Sequence, residues 1–271
     1  MDVRSLGYQT DLIFPAFDGE IIDRGHYLVV RTPGNPGYFW GNFLLFSRPP
    51  GPGDHGRWTA LFAEEIGSPP YVGHQTFGWD STEPEVADFE PFLADGFHLD
   101  HSHVLIAEQL WAARMPPLRL SIRPLESPAE WEWAIENQVA SRESHFTEAG
   151  YRLFRQRQMS RYRAMAAEGL GSWYGAFLGD RLAADLGIFA QGPLGRYQAV
   201  ETHPDFRRKG IGGALVVRSA EHAQRKFGIQ TLVIVADADS PAERLYHSLG
   251  FRYRESQFGL EKWSPETPAA A

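Results

Sequence analysis

The segment Val200-Glu201-Thr202-His203-Pro204-Asp205-Phe206-Arg207-Arg208-Lys209-Gly210-Ile211-Gly212-Gly213-Ala214 decides how the rest of this chain is read. It starts as an extended run, breaks at Pro204 and opens at Gly210 into a long helical pattern. Arg207, Arg208 and Lys209 stand just before Gly210, Gly212 and Gly213. Unpaired amides at a helix N-terminus point outward, the helix dipole favours an anion, and glycines let the backbone come close. The arrangement predicts a site for a phosphate-bearing cofactor. Taken in isolation, the same glycines equally suit a tight strand-to-helix connection.

Upstream of this loop lie three strand candidates, at 172–178, 181–189 and 197–202, with Gly179-Asp180 as a hairpin signal between the first two. Before them comes a helix at 148–168, with Phe154, Tyr162, Met165 and Ala166 inward. An earlier helix carries Trp131, Ile135 and Val139 and opens on Ser127-Pro128-Ala129-Glu130, a capping-box pattern with proline at the first helical position. Residues 118–123 alternate like a strand. Downstream, Gly228 ends the helix at 211–227, and the apolar run 231–236 fits a strand covered on both faces. Ser240-Pro241-Ala242-Glu243 starts another helix, with Ala242, Leu245, Tyr246 and Leu249 on one face and Gly250 at its end. A last strand is expected at 258–263. The order is β-α-α-β-β-β-α-β-α-β.

That order, with Arg207-x-x-Gly210-x-Gly212, resembles the GNAT superfamily of acyl-CoA-dependent N-acyltransferases. A second motif, Asp239-x-x-Ala242-x-x-Leu245-Tyr246-x-x-x-Gly250-Phe251, is similar to the family's Asn-x-x-Ala-x-x-Leu-Tyr-x-x-x-Gly-Phe. The resemblance covers roughly 118–263 and implies an α+β fold, a mixed central sheet flanked by helices. It also implies roles. The backbone of Val200, Glu201 and Thr202 would pair with the pantetheine arm of acetyl-CoA. The amides of Arg208, Lys209, Gly210, Ile211, Gly212, Gly213 and Ala214 would cradle the pyrophosphate, with Arg207 bracing the loop. Asp239 would face the cofactor. Tyr246 would stand beside the sulfur and protonate the departing thiolate, for which its ordinary pKa of ~10 keeps it a donor at neutral pH. The implied reaction is direct attack by a primary amine, of a small molecule or peptide, on the acyl thioester. Trp133, Glu143, His145 and Phe146 would lie on the acceptor side.

There are two departures from the family pattern. Asp239 replaces an asparagine and so lacks an amide donor, and 231–236 lacks the glutamate that many relatives carry there. Glu201 is then the nearest base, with Asp185 second. Without the resemblance, Tyr246 reads as a core tyrosine and Glu201 as an exposed strand carboxylate. Two other functions fit less of the pattern. One is a CoA-binding sensor that has lost the chemistry. The other, a nucleotide-binding enzyme, is disfavoured because no Gly-Lys-Ser/Thr follows the loop and a dinucleotide fingerprint is absent.

Pro116-Pro117 marks a boundary, since two prolines suit neither a helix interior nor a central strand. The expected division is 1–115, 118–263 and a disordered tail at 264–271. In the first part, strands are expected at 26–32, 41–47 and 75–79, and helices at 57–66 and 84–93 with Gly96 as the stop. Gly73-His74-Gln75-Thr76 echoes Gly228-Ile229-Gln230-Thr231, and Phe92-x-x-x-Gly96-Phe97 echoes Tyr246-x-x-x-Gly250-Phe251. Arg48-x-x-Gly51-x-Gly53 matches the loop motif, but Pro49, Pro50 and Pro52 have no N–H with which to hold phosphate. The first part therefore reads either as a degenerate GNAT-like copy without cofactor binding, making the chain a tandem, or as an unrelated α+β domain.

A net charge of −8 over 271 residues argues against a broad nucleic-acid surface. With no cysteine there are no disulfides, thiolate metal sites or cysteine nucleophiles. No window reaches the ~18 apolar residues of a membrane span, so a cytoplasmic location is expected. His98, His101 and His103 read as a solvated loop, and no metal is expected.

Overall fold

Ser127 accepts a hydrogen bond from the Glu130 amide, and the Glu130 carboxylate accepts one from the Ser127 amide, so the expected capping box starts its helix. Arg123 pairs with the same carboxylate and, with those backbone donors, holds its pKa down at about 2. Such local signals place most elements of the computed structural model, which describes residues 1–69, 71–82, 87–111, 119–144 and 146–263. In chain order they are α1 (Leu6–Asp11), α2 (Ile13–Asp18), β1 (Glu20–Asp23), β2 (Tyr27–Arg31), β3 (Phe43–Phe46), α3 (Asp54–Glu65), β4 (His74–Trp79), α4 (Glu90–Ala94) and β5 (His98–Ala107). Then follow β6 (Leu120–Pro124), α5 (Pro128–Ala140), α6 (Glu148–Ala167), β7 (Gly171–Leu178), β8 (Arg181–Gln191), β9 (Leu194–Thr202), α7 (Ile211–Phe227), β10 (Thr231–Asp237), α8 (Pro241–Ser248) and β11 (Arg252–Trp263).

The chain divides into two units. The first comprises Met1–Val104, His145–Phe154 and the chain from Glu255 onward; the second comprises Leu105–Ser144 and Arg155–Arg254. In the first, β1 pairs antiparallel with β2, β2 antiparallel with β3, β3 parallel with β4, and β4 antiparallel with β11. Its core is aromatic: Phe46 stacks on Trp58 at 3.7 Å between ring centres, with Phe62, Phe77, Phe92 and Phe97 around them.

In the second unit β6, β7, β8 and β9 form antiparallel neighbours and β9 pairs parallel with β10. Leu215, Val216 and Ala220 of α7 pack with Ile188, Tyr197, Leu232 and Ile234 of the strands. Both units are mixed sheets with helices on them, an α+β architecture. The series α-α-β-β-β-α-β-α-β runs from α1 to β5 and again from α5 to β11, with the same order of antiparallel, antiparallel and parallel pairings. No helix among the described residues is long and apolar enough to cross a membrane.

Three expectations change. His98, His101 and His103 are on β5 rather than in a loop, and His101 stacks on Phe258 at 4.4 Å. The polar outer end of that strand hides a buried inner end at Ser102, Val104, Leu105 and Ala107. The helix expected at 84–93 is confined among the described residues to Glu90–Ala94, with 87–89 outside it and 83–86 outside the described residues. Helices α1 and α2 and strand β1 are additional; buried Asp80 and Glu255 carboxylates accept the amides of Arg4, Ser5 and Gly7 that start α1. The boundary prolines 116 and 117 and the tail 264–271 lie outside the described residues.

Candidate active site

Strand β9 makes the site by departing from its neighbour. Its parallel register with β10 runs from Leu194–Thr231 to Arg196–Val233 and stops there, while β9 continues to Thr202. On its other edge β9 stays with β8, but the register jumps between Asp185–Glu201 and Gly187–Gln198. This is a bulge. Ala199 within it has φ of 45°, a left-handed conformation that costs a non-glycine residue about 1–2 kcal/mol. The Gln138 Nε2 group donates to the Ala199 carbonyl at 3.2 Å. Val200, Glu201 and Thr202, past the bulge, thus have a strand edge with no β10 partner in that register.

The chain then turns through a short 3-10 segment, Pro204–Phe206. Arg207 Nε reaches back to the Thr202 carbonyl at 3.0 Å, and its guanidinium lies 3.7 Å from Glu201. Arg208 has φ of 60° and Gly210, the cap of α7, φ of 77°. No side chain caps this helix, so its first amides remain available to an anion. A Cβ at Gly212 would come within 3.0 Å of Thr202 Oγ1, so the loop and strand are closely apposed there. Lys209 Nζ is tied to the Asp205 carbonyl at 2.7 Å.

Helix α8 supplies the third side. Its cap, Ser240, accepts from the Glu243 amide at 3.1 Å, while the Glu243 carboxylate accepts from Asp239 N at 2.6 Å rather than from Ser240 N. Asp239 itself has φ of 61° and an exposed side chain. Tyr246 is buried, its ring edge-on to Phe251 at 6.0 Å, and its hydroxyl has no hydrogen-bond partner among the described residues. Burial, helped by the charges of Glu201 and Asp237, raises its pKa well above the ordinary tyrosine value, so the phenol keeps its proton. Asp237 is the last residue of β10, one beyond the run expected from sequence.

Glu201 is raised above the ordinary carboxylate range by burial, against the Ser141 hydroxyl and the charges of Arg155 and Arg207, which pull it down. Directly across the strand pair, Asp185 is fully buried and accepts from Asn137 Nδ2 at 2.5 Å, Gln138 Nε2 at 2.8 Å and Trp173 Nε1 at 2.9 Å. Burial pushes its carboxyl up to about 7 despite those donors, and the charge of Glu201 adds to the rise. The chain thus places Glu201, Tyr246, Arg207 and the α7 terminus in one unit with a buried second carboxylate behind them. Asn137, Gln138 and Trp173 escape a reading based on apolar spacing. The only signal for them is two adjacent amides on a helix whose inner positions were assigned to Trp131, Ile135 and Val139. Among the acceptor-side candidates, Trp133 is 41% exposed and Glu143 is exposed. Phe146 lies in the first unit, buried against Tyr151 and Trp263, and His145 falls outside the described residues.

At the corresponding place in the first unit, Gly53 caps α3 with φ of 81°, as Gly210 caps α7. There the next residue, Asp54, brings a buried carboxylate of its own to the start of the helix. Its carboxylate accepts from Gly51 N at 2.8 Å and pairs with Arg48 at 2.7 Å and Arg57 at 2.8 Å. Burial works to raise its pKa, but those donors hold it below the ordinary value.

The freed edge of β9 and the uncapped terminus of α7 both lie in a stretch of the chain that is similar to known proteins. Residues 173–258 match the model of the FR47-like protein family. Over 62 residues the chain is 37% identical to mycothiol acetyltransferase of Thermobispora bispora, an alignment spanning 23% of this chain and 21% of that relative. The chain thus covers about a fifth of the length of that curated relative. Solved structures agree over nearly the whole chain. A conserved protein of Staphylococcus epidermidis superimposes with a TM-score of 0.68 at 13% identity, covering 92% of this chain and 95% of that one. A GCN5-related N-acetyltransferase of Kribbella flavida gives 0.63 at 13% identity, over 95% and 96%. A tandem GNAT protein from the clavulanic acid biosynthesis pathway gives 0.54 at 14% identity, over 81% and 73%. At these identities the likeness is one of fold.

Proposed function

We propose that the second unit moves an acetyl, or related acyl, group from acetyl-CoA to a primary amine of a small molecule or peptide. The observation that carries this reading is the pairing of the unpartnered β9 edge, 200–202, with the uncapped α7 terminus at Gly210. An extended amide-bearing arm suits the first and a pyrophosphate suits the second. Val200, Glu201 and Thr202 would bind the arm, and the amides of 208–214 the phosphates, with Arg207 fixing the turn between them. Asp239, whose backbone N–H and carbonyl are taken by Glu243 and Arg244, would present its exposed carboxylate near the cofactor in place of an amide. Glu201 would take the proton of the attacking amine, its raised proton affinity bringing it nearer to neutrality, where a base works best. Tyr246, protonated and with a free hydroxyl, would donate to the sulfur as the C–S bond breaks.

A protein that binds acyl-CoA without transfer is the second reading. It draws support from the Arg207 guanidinium 3.7 Å from Glu201 and from the lack of a carboxylate at 231–236. Release of CoA from acetyl-CoA, followed with a panel of primary amines, separates the two. Amine-dependent release supports the enzyme; tight binding of acetyl-CoA with no amine-dependent release supports the sensor. The first unit, with Asp54 seated at its helix terminus, would bind no cofactor and would support the second. No membrane or nucleic-acid partner is part of this reading, and a cytoplasmic setting suits it.

A further inference from the structure

We propose that Gln138, braced by Asp185, is the positioning residue that holds residues 199–202 in the course that frees the β9 edge. Its single Nε2 group donates both to Asp185 Oδ1 at 2.8 Å and to the Ala199 carbonyl at 3.2 Å, so one amide joins β8, α5 and the bulge. Ala199 cannot take its left-handed conformation without a penalty, and glycine is the usual residue there in a bulge of this kind. Something outside the strand must therefore favour the bulged form over regular pairing. Asp185 is fully buried and fixed from three directions by Asn137, Gln138 and Trp173. It gives Gln138 a rigid anchor, and Gln138 passes that rigidity to a carbonyl inside the bulge. The residues that follow, Val200 to Thr202, are those assigned above to the cofactor arm.

The link to cofactor affinity rests on the acyl-CoA reading, whereas the effect on strand conformation does not, and two measurements keep them apart. In Gln138→Met, amide hydrogen exchange at 198–202 should quicken by at least ~10-fold relative to that in the α7 core. The dissociation constant of CoA, measured on folded protein, should rise ~10-fold. Adding Ala199→Gly, which removes the conformational penalty, should recover most of both losses. A general loss of stability would quicken exchange in the α7 core as much as at 198–202 and would leave unchanged the affinity of the molecules that remain folded. Unchanged exchange at 198–202 in Gln138→Met overturns the proposal. Should the parent protein bind no CoA, the acyl-CoA reading falls, and exchange at 198–202 still decides the role of Gln138.

Discussion

Asp185 and Glu201 stand directly opposite each other across β8 and β9, the first fully buried and the second lining the proposed site. Like charges in such cross-strand positions repel. Burial raises both carboxyls, and the charge of Glu201 adds to the rise at Asp185.

This fixes the sign of a stability effect. The folded Asp185 carboxyl titrates at about 7, while its ordinary value is 3.8. Between those limits the unfolded chain has lost a proton that the folded chain keeps, so Asp185 makes stability fall as pH rises from ~4 to ~7 and adds no further slope above that. About three pH units at ~1.4 kcal/mol each gives a cost on the order of 4 kcal/mol at neutral pH. Urea denaturation of Asp185→Asn should show that slope removed relative to the parent. A difference between the two proteins that is constant from pH 4 to 8 would mean that Asp185 is ionised throughout.

His74 acts in the opposite sense. It is buried, its Nε2 bonds the Asn42 carbonyl at 3.0 Å, and burial lowers its pKa from 6.5 to about 4. Above 6.5 both states are neutral. Between 6.5 and 4 only the unfolded chain is charged, so stability is lost as pH falls through that window. His74→Gln, which cannot charge, should lose less stability between pH 7 and 4.5 than the parent does. An identical acid profile would place the titration elsewhere.

Tyr246→Phe keeps the ring packed against Phe251 and removes only the hydroxyl. Under the transfer reading, turnover should drop by ~10²-fold with cofactor affinity nearly intact. Unchanged turnover would take Tyr246 out of the mechanism. Glu201→Gln should lower kcat at least ~10²-fold and remove the acid limb of the pH–rate profile. Persistence of that limb would assign the base to another group.

Much of the second unit was legible because its signals are local. Ser127 and Glu130, Gly228, and the turn at Gly179 each act within a few residues. The two motifs that resemble those of the GNAT superfamily are local too, since a helix terminus needs its glycines within one turn. What escaped is set by distant partners. Asn137 and Gln138 gain their meaning from Asp185 and Ala199, 48 and 61 residues away. The bulge at Ala199 carries no glycine to announce it. In the first part, α1 depends on Asp80 and Glu255, and β5 opens on His98-Leu99-Asp100-His101-Ser102-His103, mostly polar, before its apolar end. Neither shows a helical or strand period strong enough to stand alone.

Asp54 and Gly210 lead to a final expectation about stoichiometry. Both units build a strand, a loop and a helix capped by a left-handed glycine, and an anion suits both helix ends. In the second unit nothing covalently attached fills the place. In the first, Asp54 brings its own carboxylate, with Arg48, Arg57 and the Gly51 amide as partners. Pro49, Pro50 and Pro52 remove three further donors from that loop. Calorimetric titration with acetyl-CoA should therefore give one site per chain, abolished by Gly212→Asp and unaffected by Asp54→Ala. The Asp54 variant should instead lose about 2–3 kcal/mol of stability, the worth of a buried carboxylate's charge-assisted bonds. Two sites in the parent protein would show that the first unit retains cofactor binding. A second site appearing only in Asp54→Ala would show that this carboxylate, and not the prolines, is what closes it.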